Sequence, residues 1–280
     1  MQRRILVTFL AAVALLVAPT AASAAPSDRG QQQATGWYLS LGDSLAAGYQ
    51  LGVDHPTEGY AGPTLAALQQ TAPRTKLVNL ACSGETTTSM IEGGKCTYEE
   101  GSQLDQAVEF LHAHRLTTRL VTLDIGGNDI AKCGFSGLQD SCIDPALATL
   151  RQNLPTIMER LHAAAPQAHI VVLNYYDPFL VYALQGPSGL PLAQKSLVVL
   201  GTFDGLIAAN AAAQGADVAD VAGAFSTTSW TPLVPVPGIG SVPLNLARIL
   251  MWTWMAPPRL DFHANDTGYA VMAGAVIAEL

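Results

Sequence analysis

Apolar positions along the chain switch between a period of two, or unbroken short runs, and a period near 3.6. Trp37 to Tyr49 reads WYLSLGDSLAAGY: a short apolar strand, a Gly-Asp-Ser turn, then small residues suited to a helix start. Pro63 to Gln70 suits a helix, and Lys76 to Ala81 (KLVNLA) is a compact buried strand. Ser102 is placed to cap a helix whose Leu104, Val108 and Leu111 share one face. Arg119 to Ile125 reads as a third strand. Asp144-Pro145 is a cap and first-turn pair, opening a helix with Leu147, Leu150, Leu154, Met158 and Leu161 at helical spacing. Pro155 should kink or split it. His169 to Asn174 is the fourth strand, Leu192 to Gln214 is largely helical, and Asp217 to Val221 is a weaker fifth strand. The last helix begins near Asn265 or Asp266 and buries Tyr269, Met272 and Val276, with Leu280 a further candidate.

Strand and helix in alternation imply a parallel sheet covered on both faces. The expected fold is α/β, a three-layer α/β/α flavodoxin-like arrangement on a parallel five-stranded sheet. Between the fifth strand and the last helix, Ala222 to Leu260 reads as a long irregular segment rich in proline, tryptophan and aliphatic residues. Long loops of this kind are usually functional.

The start of the chain has a different character. Arg3 and Arg4 precede the apolar run Ile5 to Val17, and Ala22-Ser23-Ala24 fits the small-x-small cleavage rule, so residues 1–24 read as a signal peptide. The run is shorter than the roughly 20 apolar residues of a membrane span. The region Val198 to Ala213 is interrupted by Gly201, Asp204, Gly205 and Asn210, so no stable membrane span is expected. Residues 25–36 read as a disordered lead-in, and residues 37–280 as one domain without internal repeat or linker. Losing Arg3 and Arg4 takes the 14 basic residues to 12 against 22 acidic ones, a net charge of −10. Nucleic acid, whose binding rests on basic side chains, is excluded as a partner.

Cys82, Cys96, Cys133 and Cys142 all follow the cleavage site. An even count in an exported chain points to two disulfides. Of the three pairings, Cys82–Cys96 with Cys133–Cys142 is expected, because each bridge then encloses a single loop. Neither pair has the two-residue spacing of a zinc knuckle, and no metal is expected.

Chemistry collects at the strand ends. Ser44 follows the first strand, and Cys82-Ser83-Gly84-Glu85-Thr86 the second, where Gly84 can present a bare N–H. Gly126-Gly127-Asn128-Asp129 follows the third and lets Asn128 project an amide. Asp261-Phe262-His263-Ala264-Asn265 sits just before the last helix. In a parallel sheet these turns face one rim, so a serine, two donors and an imidazole converge there.

Four blocks in this order, Gly42-Asp43-Ser44, Gly84, Gly127-Asn128-Asp129 and His263-Ala264-Asn265, resemble those of the GDSL, or SGNH, hydrolases over nearly the whole mature chain. Asn174-Tyr175-Tyr176-Asp177-Pro178 and Trp252-Thr253-Trp254-Met255 look like secreted actinobacterial members. The resemblance implies Ser44 as nucleophile, His263 as base, and an oxyanion hole of the Ser44 N–H, the Gly84 N–H and the Asn128 side chain. The family usually has Asp three positions before the histidine, where this chain has Leu260. Asp261, two before, is the expected orienting acid, and a backbone carbonyl such as that of Leu260 is its competitor. Asp43 and Asp129 are expected to bond loop N–H groups rather than to react.

The resulting expectation is a secreted, monomeric serine esterase or lipase acting on a small-molecule or lipid carboxylic ester with no cofactor. Ala222 to Leu260, with Met251, Trp252, Trp254 and Met255, is the candidate acyl-binding segment, core cover being the other role for those four. A carbohydrate O-acetylesterase, an acyltransferase and a binding module on an inactive scaffold are the rival readings. The absence of a G-x-S-x-G elbow argues against the other α/β-hydrolase fold. Gly238-Ile239-Gly240 lacks the third glycine of a dinucleotide fingerprint.

Overall fold

Five parallel strands form one sheet in the order β2-β1-β3-β4-β5. They are β1 (Trp37–Gly42), β2 (Lys76–Asn79), β3 (Thr118–Asp124), β4 (His169–Leu173) and β5 (Asp217–Ala219). The structure is a computed structural model that describes residues 35–280. The signal peptide expected at 1–24 and nearly all of the lead-in expected at 25–36 lie outside the described residues. Central strands must bury both faces, and they do: Tyr38, Leu39 and Leu41 on β1 and Leu120, Val121 and Leu123 on β3 are fully buried. Polar groups among them are paired, as where the Tyr38 hydroxyl meets Thr122 Oγ1 at 2.9 Å. The chain winds outward first through β2 and then through β3, so the order reverses between β1 and β3. A crevice opens at the carboxyl ends of those two strands.

The helices are α1 (Ala61–Thr71), α2 (Thr87–Glu92), α3 (Gln103–His114), α4 (Gly127–Phe135), α5 (Asp140–Ala164), α6 (Leu190–Ala213), α7 (Val221–Ala224), α8 (Leu244–Trp252) and α9 (Asp266–Ile277). A 3-10 stretch, Pro178–Ser188, precedes α6. α1, α7 and α8 pack on α9, while α3 packs on α5 and α5 on α6. The expected caps are in place. Ser102 Oγ accepts the Asp105 N–H at 3.0 Å, and Asn265 Oδ1 accepts those of Thr267 and Gly268 at 3.0 and 3.2 Å.

Four expectations change. α5 begins at Asp140 rather than at Pro145, and it runs past Pro155 unsplit. Each proline removes one N–H from the ladder, but Leu147, Leu150, Leu154 and Leu161 still bury one continuous face. Ala222 to Leu260 is not irregular. It carries α7, α8 and an antiparallel hairpin of β6 (Leu233–Val236) and β7 (Gly240–Pro243), whose prolines hide the strand period. Leu280 is not buried but 49% exposed, because α9 ends at Ile277. Finally, α6 has the length and apolar composition of a membrane span, with a mean hydropathy of 1.5. Here it packs against α5, β4, β5 and the 3-10 stretch.

Both disulfides form with the expected pairing, Cys82–Cys96 and Cys133–Cys142, their Cα atoms 6.1 and 5.5 Å apart. The first ties the turn after β2 to the segment after α2. The second ties α4 to the first turn of α5, ahead of Pro145. Replacing both Cys82 and Cys96 by serine should therefore destabilise the fold by roughly 2–3 kcal/mol. Urea unfolding of the double variant tests this, and an unchanged midpoint and slope would show the tether to be idle.

Candidate active site

β1 ends at Gly42, whose register partner on β3 is Asp124. At φ +136°, Gly42 takes a backbone conformation that L side chains rarely adopt, and a Cβ there would stand 2.0 Å from the Asp124 carbonyl oxygen. Its N–H donates to Gln103 Oε1 at 2.7 Å, and its carbonyl accepts from Gln103 Nε2 at 2.9 Å. The chain then turns off the sheet through Asp43 and Ser44. Ser44 was expected at a helix start, but a single helical turn forms instead. Ala47 N–H donates to the Asp43 carbonyl at 3.0 Å and Tyr49 N–H to that of Ser44 at 2.9 Å. The turn ends at Gly48, φ +65°, and α1 begins only at Ala61. One turn has little macrodipole, so the field at Ser44 comes from individual N–H groups.

The histidine arrives from the other end of the chain. Residues 252–254 lie antiparallel to 261–265: Asp261 N–H donates to the Trp254 carbonyl at 3.2 Å, Trp254 N–H to that of His263 at 2.9 Å, and Asn265 N–H to that of Trp252 at 3.0 Å. His263 Nε2 stands 2.8 Å from Ser44 Oγ, and Nδ1 stands 2.5 Å from Asp261 Oδ1. The same Asp261 oxygen accepts the His263 backbone N–H at 3.0 Å. That double use explains how an acid only two residues away reaches the ring. The chain folds back through Leu260, at φ +51°, and the carboxylate closes a tight turn onto the histidine's own amide. With Asp261 on Nδ1, the ring carries its proton there and turns a lone pair towards Ser44. Tyr49 and Phe262 pack on the imidazole with ring centroids 4.2 and 4.3 Å away. Burial pulls the His263 pKa down, opposed by the hydrogen bond and charge of Asp261, so the ring is neutral near pH 7.

The two expected donor turns flank the serine. Asn128 lies at the start of α4 beside Ser44 in the lining of one cavity, and its Nδ2 donates to the Glu85 carbonyl at 2.9 Å, joining the third turn to the second. Gly84 sits at φ +82° in that second turn. Among the described residues, the N–H groups of Ser44 and Gly84 find no acceptor, which leaves both free for a developing charge. Asp129 is spent on the Thr87 N–H at 2.9 Å and hydroxyl at 2.7 Å, and Asp43 on the Leu45 N–H at 3.0 Å. Asp43 thus bonds within its own turn, as expected, whereas Asp129 bonds the first residue of α2.

An apolar cavity of about 80 Å³ opens beside Ser44. Its walls are not the segment expected. None of Met251, Trp252, Trp254 or Met255 lines it; Ile130 of α4, Tyr175 and Phe179 after β4, and Val199 and Phe203 of α6 do, with Phe262. Trp252 instead packs edge-on against Phe225, and Trp254 donates to Gln50 Oε1 at 3.2 Å. The missed signal was the spacing of Val199 and Phe203 on an apolar helix, which reads equally as core. Gln103 carried no signal at all, being a polar residue in the first turn of a helix.

Beneath the serine lies a pair of fully buried carboxyls. Asp43 N–H donates to Asp124 Oδ1 at 3.1 Å, and the Tyr175 hydroxyl approaches Asp43 Oδ2 at 3.5 Å. Burial and mutual repulsion push the Asp124 pKa well up, and burial raises Asp43 to about 7. Burial also raises Asp177, which accepts the Ser196 hydroxyl at 2.6 Å, to about 6, and Asp204 to about 7.

Comparison with known proteins follows the same outline. The model of a family described as the GDSL-like lipase/acylhydrolase family matches residues 40–271. Lipase 1 of Streptomyces coelicolor is 28% identical over 196 residues, which is 62% of this chain and 65% of that relative. The chain thus spans just under two thirds of the relative's length. Two solved structures share the fold. An extracellular lipase from Streptomyces rimosus has a TM-score of 0.57 at 22% identity, covering 87% of this chain and 98% of its own. A phospholipase A1 from Streptomyces albidoflavus has 0.54 at 21%, covering 88% and 99%.

The buried carboxyls give the fold a pH signature. Free in the unfolded chain they titrate near 3.9. With folded values raised towards 6 and 7, the folded state holds more protons between about pH 4 and 7. Their stabilisation is complete below that window and is lost as the pH rises through it. Thermal unfolding should therefore show a lower Tm at pH 8 than at pH 5, with a shallower fall in Asp204→Asn. A Tm that rises across this window would rule out neutral buried carboxyls.

Proposed function

The chain belongs to the GDSL-like lipase/acylhydrolase family, and on that footing we propose that it is a secreted serine esterase or lipase that cleaves carboxylic esters of apolar acyl chains. The observation that carries the proposal is the continuous relay from Asp261 through His263 to Ser44, 2.5 and 2.8 Å at its two links, at the mouth of an apolar cavity.

A serine hydroxyl is a weak nucleophile until a base takes its proton. His263 Nε2 takes it as Ser44 Oγ bonds to the ester carbonyl carbon, and Asp261 stabilises the imidazolium that forms. The carbonyl oxygen becomes an oxyanion, held by the N–H groups of Ser44 and Gly84 and by Asn128 Nδ2. One well-placed donor of this kind contributes roughly 2.7–4 kcal/mol. The imidazolium returns its proton to the departing alcohol, leaving Ser44 acylated. Water, deprotonated by the same nitrogen, then releases the acid. The acyl chain lies in the cavity lined by Ile130, Phe179, Val199 and Phe203. Export through a signal peptide at residues 1–24 is part of the proposal, and the two disulfides accord with an oxidising compartment.

Three measurements test the reading. On nitrophenyl esters from acetate to palmitate, with acetylated xylan alongside, turnover should favour the apolar acyl chains. Ser44→Ala and His263→Ala should each abolish nearly all of it, because the pair acts as a unit. Deacetylation of the polymer alone would replace this substrate class with a carbohydrate one. Asp261→Asn should lose several powers of ten in kcat while staying folded. A value within a few-fold of the parent would reduce the machinery to Ser44 and His263. The acid limb of kcat/KM should lie below the ordinary histidine value of about 6.5, because burial lowers the His263 pKa. An acid limb above 7 would contradict that environment.

A further inference from the structure

We propose that Leu200 sets the upper limit on the acyl chain this site accepts, an inference that rests on the esterase reading above. α6 stands between two cavities and turns a different stripe of side chains to each. Ser196, Val199, Leu200 and Phe203 line the cavity beside Ser44. They are spaced i, i+3, i+4 and i+7, one face of a helix. Leu197, Leu200, Gly201 and Asp204, the same spacing shifted by one residue, line a second cavity of about 430 Å³. Leu200 is the residue common to both linings. It is the partition.

The two compartments differ in chemistry. The first is walled by Phe179, Val199 and Phe203, and its polar groups near α6 are already paired, Ser196 with Asp177. The second is mixed: beside Leu197 and Ala222 it carries Asp204, Asp220 and the hydroxyl-bearing run Ser226 to Ser229. Asp220 accepts from Asn174 Nδ2 at 2.9 Å, and Asp204 from the Tyr175 N–H at 3.2 Å, so both carboxyls are held in place. Each methylene buried against the apolar wall strengthens binding about fourfold. A methyl end that passed Leu200 would gain less, because it would strip water from the carboxyl and hydroxyl groups there. Specificity therefore climbs with chain length until the terminal methyl meets Leu200, and then stops.

The test compares kcat/KM over nitrophenyl esters from acetate to palmitate in the wild type, Leu200→Ala, Leu200→Trp and Leu200→Ala/Asp204→Leu. Val198→Ala, at an outward position 71% exposed on the same helix, is the control. Leu200→Ala should move the optimum to longer chains, and adding Asp204→Leu should raise activity on the longest esters about tenfold further by making the second compartment apolar. Leu200→Trp should lower activity on the wild type's longest good substrate about tenfold, with a much smaller loss on acetate. Val198→Ala should leave the whole profile in place. A packing defect would depress all chain lengths together, so the shape of the profile separates specificity from damage. If Leu200→Trp does not fold, Leu200→Ala and its double variant read the same partition from the other side. An unchanged optimum in Leu200→Ala with normal turnover overturns this inference and leaves the esterase reading standing. A folded wild type without ester turnover removes both.

Discussion

The rim of this site hangs from one crossing, where Gly42 on β1 and Asp124 on β3 come so close that no side chain fits at the first. The strands touch backbone to backbone there, and the two turns that leave them, Asp43-Ser44 and Gly126-Gly127-Asn128, start from adjacent points. The spacing of Ser44 and the Asn128 amide is thus set by sheet register rather than by loop conformation. Register in a buried sheet is strongly specified, since a slip of one residue would turn every side chain to the other face. The cost falls on Asp43 and Asp124, two carboxyls out of water against each other. They remain because the raised pKa lets a proton stay on the pair, and because Asp43 ties down the turn while Asp124 Oδ1 takes the Asp43 N–H.

The fold was legible because parallel strands buried on both faces are short apolar runs, and KLVNLA or RLVTLDI can hardly be anything else. The four site blocks were legible because each falls at a strand or helix end, where a turn residue has a stated task. What escaped depended on partners far away in sequence. Gln103 is a polar residue in the first turn of a helix until the structure shows it gripping both backbone groups of Gly42. Phe203 and Val199 read as core, and half of their role is core. The hairpin between Leu233 and Pro243 was hidden by its own prolines, which break the strand period without breaking the two-stranded pairing. Asp261 was doubtful by spacing alone. Its reach depends on Leu260 adopting a left-handed backbone, which no sequence pattern announces.

α6 shows how composition can mislead in a definite way. Its buried positions, Ala193, Ser196, Val199, Phe203, Ile207 and Ala211, form one stripe, on a helix packed against α5, β4, β5 and the 3-10 stretch. Small and aliphatic residues continue onto the outward side, where Val198 is 71% exposed, and they raise the mean hydropathy to that of a membrane span. Hydropathy summed along a helix does not show which face is covered.

Asp261 and His263 sit two residues apart on one short loop, while Ser44 lies 219 residues upstream of the histidine. Only two pieces of chain, not three, must therefore be held in register. A shift of the 261–265 loop would carry carboxylate and imidazole together, keeping their 2.5 Å link closed while the 2.8 Å link to Ser44 opened.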